Sequence, residues 1–341
     1  MIDRALVAGL GSMGRRHLRL LRTRLPEARI MVLRHSECDE AVDGADVCTT
    51  SLDEAVAFAP KIAVISTPAP FHAASAITLA TAGTHLLVEK PLAALVEDAR
   101  ALEQAAVAAG VVLQVGYNLR FLDSLATFRN ALAANRIGRV ASVRAEVGQY
   151  LPDWRPRADW RNAVSARADL GGGVLLELSH EFDYLLWIFG KVRNVRGWTG
   201  RQGGLGLEVE DTVHAVLEFA APFPANAAGV APVASVSLDF IRRDTVRRCV
   251  AIGEDGTLVW DGIASQVRLS RVGENDDLLH DAKADRDDSY LTQLDAFINS
   301  VETGAPPTVS GLDGVATLEI INAVRRSQAA DGVALAPGGQ G

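Results

Sequence analysis

Apolar residues follow two rhythms along the chain, and the rhythm changes near residue 118. Ile2 and then Ala5 to Ala8 form a short apolar run that stops at glycines, which is how a buried strand reads. Met13 to Arg24 sets Met13, Leu18 and Leu21 among Arg15, Arg16, Arg19 and Arg22, an amphipathic helix with Pro26 just past its end. Ile30 to Leu33, Ile62 to Ile65, Leu86 to Val88 and Val111 to Val115 are further short apolar runs. His72 to Ala82 and Val96 to Ala109 are helical in period and close on Gly83 and Gly110. Strands alternating with helices imply a parallel sheet with right-handed crossovers. This first domain is expected over residues 1–118.

After it, a helix over Asp123 to Asn135 leads into alternating segments. Val140 to Gln149, Val209 to Phe219, Ala234 to Phe240, Arg247 to Ile252 and Thr257 to Trp260 read as strands with one wet face. Gly173 to Phe189 reads as one apolar helix carrying Glu177, His180, Glu181 and Asp183. Helices over Tyr290 to Val301 and Leu312 to Gln328 close the chain. Strands in succession without helices between them predict an open antiparallel sheet. The second domain, α+β in class, is expected over residues 119–335.

Length agrees with two domains, since 341 residues is two units at about 150 each. A net charge of −8 gives no footing for nucleic acid or an acidic membrane surface, so a small-molecule partner is expected. Ile62 to Val88 and Phe219 to Leu238 carry no Asp, Glu, Lys or Arg, and each is long enough to be weighed as a membrane span. Their internal prolines and polar residues argue against it: Ser66, Thr67, Pro68, Pro70 and His72 in the first, Pro222, Pro224, Asn226 and Pro232 in the second. The opening MIDRALVAGLG lacks the basic and apolar regions of a signal peptide. Cys38, Cys48 and Cys249 are too few for a disulfide framework or a zinc site, so free thiols in a reducing cytoplasm, and no metal, are expected.

Gly9-Leu10-Gly11-Ser12-Met13-Gly14 is a GxGxxG motif between the first strand and the first helix, the context dinucleotide binding requires. Gly9 allows the turn, Gly11 lets a pyrophosphate reach the backbone, and Gly14 lets helix pack on strand. The helix N-terminus, with Ser12 and Met13, offers free N–H groups to the phosphates. The second strand ends Leu33-Arg34-His35-Ser36, with Arg34 where an NAD-binding protein places an acid. A guanidinium suits the 2′-phosphate of NADP, so NADP is favoured over NAD. The competing reading turns Arg34 to solvent and gives the ribose to Glu37 or Asp39.

Beyond that fingerprint, Ser66-Thr67-Pro68, Glu89-Lys90-Pro91, Gly116-Tyr117-Asn118-Leu119-Arg120-Phe121 and Gly171-Gly172-Gly173 with Glu177 and His180 lie along the chain in order. Together with the closing helices around Tyr290, Phe297, Gly311 and Ala323, the chain resembles the glucose-fructose oxidoreductase, inositol dehydrogenase and MocA family (Gfo/Idh/MocA) over nearly its whole length. The resemblance implies a Rossmann domain, a C-terminal domain with an open sheet, and assembly as a homodimer or homotetramer. It implies hydride transfer between NAD(P) and a hydroxyl or keto group of a sugar, cyclitol or sugar derivative.

The resemblance assigns the acid/base to His180, a residue type whose pKa near 6.5 suits the role. Glu177, three residues earlier on the expected helix, shares its face, whereas the family commonly has Asp four residues before the histidine. Lys90 ends a strand at the carboxyl edge of the sheet, where an ammonium can steady a developing alkoxide. Pro91 fixes the backbone after it and opens the way to a cis Lys90–Pro91 bond. By resemblance Thr67, Pro68, His72, Glu89, Lys90 and Asn118 line the cofactor, with Arg34, His35 and Ser36 at its ribose. Arg120, Trp160, Arg161, Asp183 and Tyr184 are the candidates to meet substrate. Asp-Trp-Arg occurs at 153–155 and again at 159–161, and loop anchoring explains either copy equally well. Two other activities share these features: a glycosidase that oxidises its sugar transiently on a retained dinucleotide, and a non-catalytic dinucleotide-binding regulator.

Overall fold

In the computed structural model, the apolar runs of the first half become the strands of one parallel sheet. The structure describes residues 2–36, 38, 41–154, 159–224, 228–283 and 285–339. In chain order come β1 (Arg4–Ala8), α1 (Ser12–Arg24), β2 (Arg29–Leu33), β3 (Val47–Thr49) and α2 (Leu52–Ala57). They are followed by β4 (Ile62–Ile65), α3 (His72–Thr81), β5 (His85–Val88), α4 (Val96–Ala109) and β6 (Leu113–Val115). The six strands lie in the order β3-β2-β1-β4-β5-β6. Chain direction across the sheet reverses between β1 and β4, the place where open α/β sheets bind ligands outside the strands' carboxyl ends. The uncharged stretch from Ile62 to Val88 is β4, a short 3-10 turn at Ala69–Phe71, α3 and β5. Its strands are apolar on both faces because helices cover both sides. No helix among the described residues is long and apolar enough to cross a membrane.

The second half builds α5 (Asp123–Ala133), β7 (Val140–Gly148), α6 (Val174–Glu177), α7 (His180–Phe189), β8 (Val192–Gly200) and β9 (Thr212–Phe219). Then come β10 (Val233–Asp239), β11 (Val246–Gly253), β12 (Thr257–Asp261), β13 (Gln266–Ser270), β14 (Asp277–Asp281), α8 (Asp288–Thr303) and α9 (Gly311–Ala329). The eight-stranded sheet runs β14-β13-β12-β11-β7-β10-β9-β8. It is mixed and not wholly antiparallel as expected: β10 pairs parallel to β7, with Val233 opposite Ser142. The chain leaves β7 through α6 and α7, re-enters at the far edge as β8, and returns inward by antiparallel steps. Two reversals leave β10 pointing the same way as β7. Strand burial alternates, as in Val233–Asp239, because one face is covered and the other is not.

Residues 1–118 and 290–318 group into one unit, and residues 119–289 and 319–341 into the other. The second domain expected over 119–335 is therefore interrupted: most of α8 and the start of α9 belong with the Rossmann unit. Leu294 and Phe297 of α8 join Val7, Leu18, Leu21, Ile30, Val64 and Leu87 in one core.

Two further expectations need correcting. Cys38 and Cys48 form a disulfide, with Cα atoms 5.8 Å apart, while Cys249 is a buried free thiol. That separation lies within bridging reach, so the cysteines no longer argue for a reducing compartment. The helix expected over Gly173 to Phe189 is two helices. α6 ends at Glu177, Leu178 leaves helical geometry at φ −102° and ψ 29°, and α7 begins at His180.

Candidate functional site

The dinucleotide loop is built by steric necessity at two glycines. Gly9 has φ +90°, and a Cβ there would stand 2.8 Å from the Thr67 amide nitrogen. A Cβ on Gly14 would stand 2.0 Å from the Gly9 carbonyl oxygen, so α1 can lie this close to β1 only without a side chain. Ser66 ties the end of β4 to the same turn, its Oγ donating to the carbonyls of Ala8 and Gly9. Gly11 differs, because a Cβ there would meet nothing within 4 Å. Gly11 is the N-cap of α1 and makes no side-chain cap, and no acid lies in the first turn. The first intrahelical bond runs from Arg15 N–H to Gly11 O. The amides of Ser12, Met13 and Gly14 thus precede the helix ladder, beside open space and at the positive end of its dipole. That arrangement fits a pyrophosphate.

Just past β2, Arg34 is half-buried. Its main-chain N–H donates to Thr49 O, and its guanidinium donates to Ser36 Oγ at 3.1 Å. His35 and Ser36 are exposed. Glu37 and Asp39, the alternative ribose ligands, lie outside the described residues.

Among the other candidate site residues of this unit, Thr67 and Pro68 follow β4, and Glu89, Lys90 and Pro91 follow β5. The Thr67 Oγ1 is buried with no hydrogen-bond partner among the described residues, which fits a polar group supplied by a ligand. The Lys90–Pro91 peptide is cis. Glu89 and His72 have both polar atoms engaged by protein. Glu89 Oε1 lies 2.6 Å from His17 Nε2, and its Oε2 accepts the Lys90 N–H at 3.2 Å. Burial alone would raise the Glu89 carboxyl; the His17 hydrogen bond and the cationic Lys90 outweigh it and hold it below its ordinary value. His72 is buried, its Nε2 facing Thr67 O at 2.7 Å and its Nδ1 facing Pro91 O at 3.1 Å. Desolvation lowers its pKa despite those carbonyls. Expected as a cofactor contact, His72 instead braces the two strand ends that carry Thr67 and Lys90. His17, which the sequence reading passed over, is the matching brace from α1. The only signal for it was a histidine one turn into a dinucleotide helix. Asn118 is buried in the 3-10 turn Asn118–Phe121.

In the second unit His180 is 9% exposed and opens α7, whereas Glu177 ends α6 and accepts Ser165 Oγ–H at 2.9 Å. The two do not share one helix as expected, because α6 ends at Glu177 and α7 begins at His180. Arg120 and Asp183 form a bidentate pair at 3.0 and 2.7 Å, with side-chain exposures of 3% and 0%. Each charge answers the other inside the unit. Tyr184 is wholly buried, its ring edge-on to Trp260, and burial next to Cys249 pushes its phenol up. The exposure expected of a substrate residue belongs to the second Asp-Trp-Arg copy. Arg161 is exposed and lies over the Trp160 ring at 4.8 Å. Trp154, of the first copy, packs edge-on to Phe240 and donates to Gln149 O, so it anchors its loop. Among the described residues, no group of three or more His, Cys, Asp or Glu could hold a metal ion.

Residues 4–117 match a family model described as an oxidoreductase family, NAD-binding Rossmann fold, and residues 129–335 match its C-terminal alpha/beta domain. The 1,5-anhydro-D-fructose reductase of Ensifer adhaerens is 30% identical over 298 residues, covering 85% of each chain. The NAD(+)-dependent scyllo-inositol 2-dehydrogenase of Bacillus subtilis is 25% identical, covering 93% of this chain and 91% of its own. Among solved structures, the WlbA dehydrogenase of Bordetella pertussis, in complex with NADH and UDP-GlcNAcA, superposes with a TM-score of 0.79. It is 25% identical, with 98% of this chain and 99% of the other covered.

Proposed function

Because this chain belongs to the Gfo/Idh/MocA family of oxidoreductases, we propose that it moves hydride between NADP(H) and a hydroxyl or keto carbon of a sugar or cyclitol. The observation that carries the reading is the phosphate loop: Gly9 and Gly14 admit no side chain, while the space at Gly11 stands open beside the first amides of α1. The bound nicotinamide supplies or accepts the hydride. In the oxidising direction His180 takes the proton from the substrate hydroxyl, and in the reducing direction it returns it. Lys90 donates to the reacting oxygen and steadies its negative charge. Thr67 Oγ1 gains the partner it lacks. Trp160 and Arg161, stacked and accessible, offer an apolar face and a cation to a substrate outside the reacting carbon. The outward-facing Trp198, Val216 and Val233 of the second sheet support assembly of identical chains.

The test is steady-state turnover on a panel containing 1,5-anhydro-D-fructose and scyllo-inositol, read from absorbance of the reduced cofactor. His180→Ala is expected to lower kcat by about 10²–10⁴-fold while dinucleotide binding holds. Lost binding with intact turnover refutes the role. NADP is preferred over NAD because Arg34, at the ribose end of β2, brings a cation where an acid would select NAD. Arg34→Asp should move the NADPH-to-NADH ratio of kcat/KM toward NADH, and an unchanged ratio rejects the preference.

A further inference from the structure

The turn bearing Lys90 is held by a buried pair that the hydride-transfer reading does not use. His17 lies in the second turn of α1 and is 1% exposed; Glu89 is 7% exposed. Their 2.6 Å contact spans 72 residues of sequence and joins the dinucleotide helix to the end of β5. The other Glu89 oxygen accepts the main-chain N–H of Lys90. One carboxylate therefore has a fixed donor on each side, one from α1 and one from the residue that carries the ammonium.

The space around this pair is tight. A Cβ on Gly116, just past β6, would stand 3.1 Å from Glu89 Oε2 and 3.1 Å from the Lys90 amide nitrogen. The Tyr290 ring lies edge-on to His17 at 6.0 Å, with the Arg16 guanidinium over that ring at 4.7 Å. His17 Nδ1 is buried with no hydrogen-bond partner among the described residues, so the Nε2 contact with Glu89 is the polar bond that fixes the ring. Such a pair can set where a neighbouring group points without touching substrate or cofactor.

We propose that His17 is a positioning residue for Lys90, acting through Glu89. The proposal rests on the reading above that Lys90 steadies the reacting oxygen. Displacing a catalytic group by an ångström costs about 100-fold in rate, so a lost hold on the turn should appear in kcat rather than in cofactor affinity.

The test exploits the chain's four lysines, Lys61, Lys90, Lys191 and Lys283, which give four backbone signals when the full-length protein is labelled with [15N]lysine. Lys90→Arg assigns the Lys90 signal by its loss. His17→Leu should shift that amide upfield and leave the other three in place. It should also lower kcat by about 10- to 100-fold on whichever panel compound turns over, with NADPH affinity by fluorescence unchanged. His17→Gln keeps a donor near the Nε2 position and should restore both readings. In a Lys90→Ala background, the His17→Leu effect on kcat should vanish.

An unmoved Lys90 amide, or an equal loss of kcat with and without Lys90, overturns the proposal. If His17→Leu does not fold, Glu89→Gln carries the same amide test. Should Lys90→Ala leave turnover intact, the catalytic role of Lys90 fails, while the amide shift still reports whether His17 holds the turn.

Discussion

Single residues divide here by how far their partners lie along the chain. The phosphate loop was legible because its logic is local: Gly9, Gly11 and Gly14 act within one turn, and the strand before them and the helix after them are adjacent. The roles of Arg120 and Asp183 were not. They sit 63 residues apart, and the sequence does not say that the two charges meet. Read alone, each looked like a group awaiting a substrate. Their buried bidentate geometry predicts a different phenotype. Arg120→Met removes the bidentate partner of a carboxylate at 0% exposure and should cost about 3–5 kcal/mol in urea denaturation. Arg120→Met combined with Asp183→Leu should recover much of that loss. A stable Arg120→Met with a raised substrate KM would restore the substrate-binding role. Trp160 is half-buried and Arg161 exposed, so neither is committed to the interior as Arg120 and Asp183 are.

Elements were read well where periodicity extended over several turns and poorly where they were short or uniform. β3 spans three residues, too few for alternation to show. The break between α6 and α7 was hidden because neither Gly nor Pro marks the joint, which falls at Leu178 and Ser179 between Glu177 and His180. β8 was missed for a related reason: Val192–Gly200 mixes Arg, Asn and Gly on its outward side with few apolar residues to mark the inner one. For α8 the helix was legible, but its destination was not, since an amphipathic face does not name the core it enters. The structure puts Phe297 among Val7, Ile30, Val64 and Leu87, strand residues made more than 200 positions earlier. Phe297→Ala should cost about 3–5 kcal/mol in denaturant unfolding of the first unit. Asp295→Ala, on the same helix, removes only a partly exposed pair with Arg24 and should cost about 1 kcal/mol or less. Similar losses from both variants would mean α8 is held by its surface and not by its core.

For the whole molecule, the same burial makes stability depend on pH. His72 and His85 both have pKa values lowered below 6.5, first by burial, so the folded chain prefers them neutral. The unfolded chain takes up those protons earlier. Stability is therefore complete above about 6.5 and drains away as pH falls through the lower folded values. Glu89, lowered from 4.5, adds a further loss in more acid solution, where its folded-state carboxylate is protonated. The melting temperature should fall between pH 7 and pH 5, and His72→Gln should flatten that fall; a flat wild-type profile would contradict it. Two units were legible from length and from the change of rhythm, but not that the first is closed by residues 290–318. That division orders events during synthesis. Domains made first usually finish folding first, yet here the earliest residues off the ribosome must wait for Leu294 and Phe297, made after the whole second sheet. The strands of the second sheet are all on the nascent chain before then, so the Rossmann core, begun first, closes after a sheet begun later, and residues 319–341 close the second unit last of all.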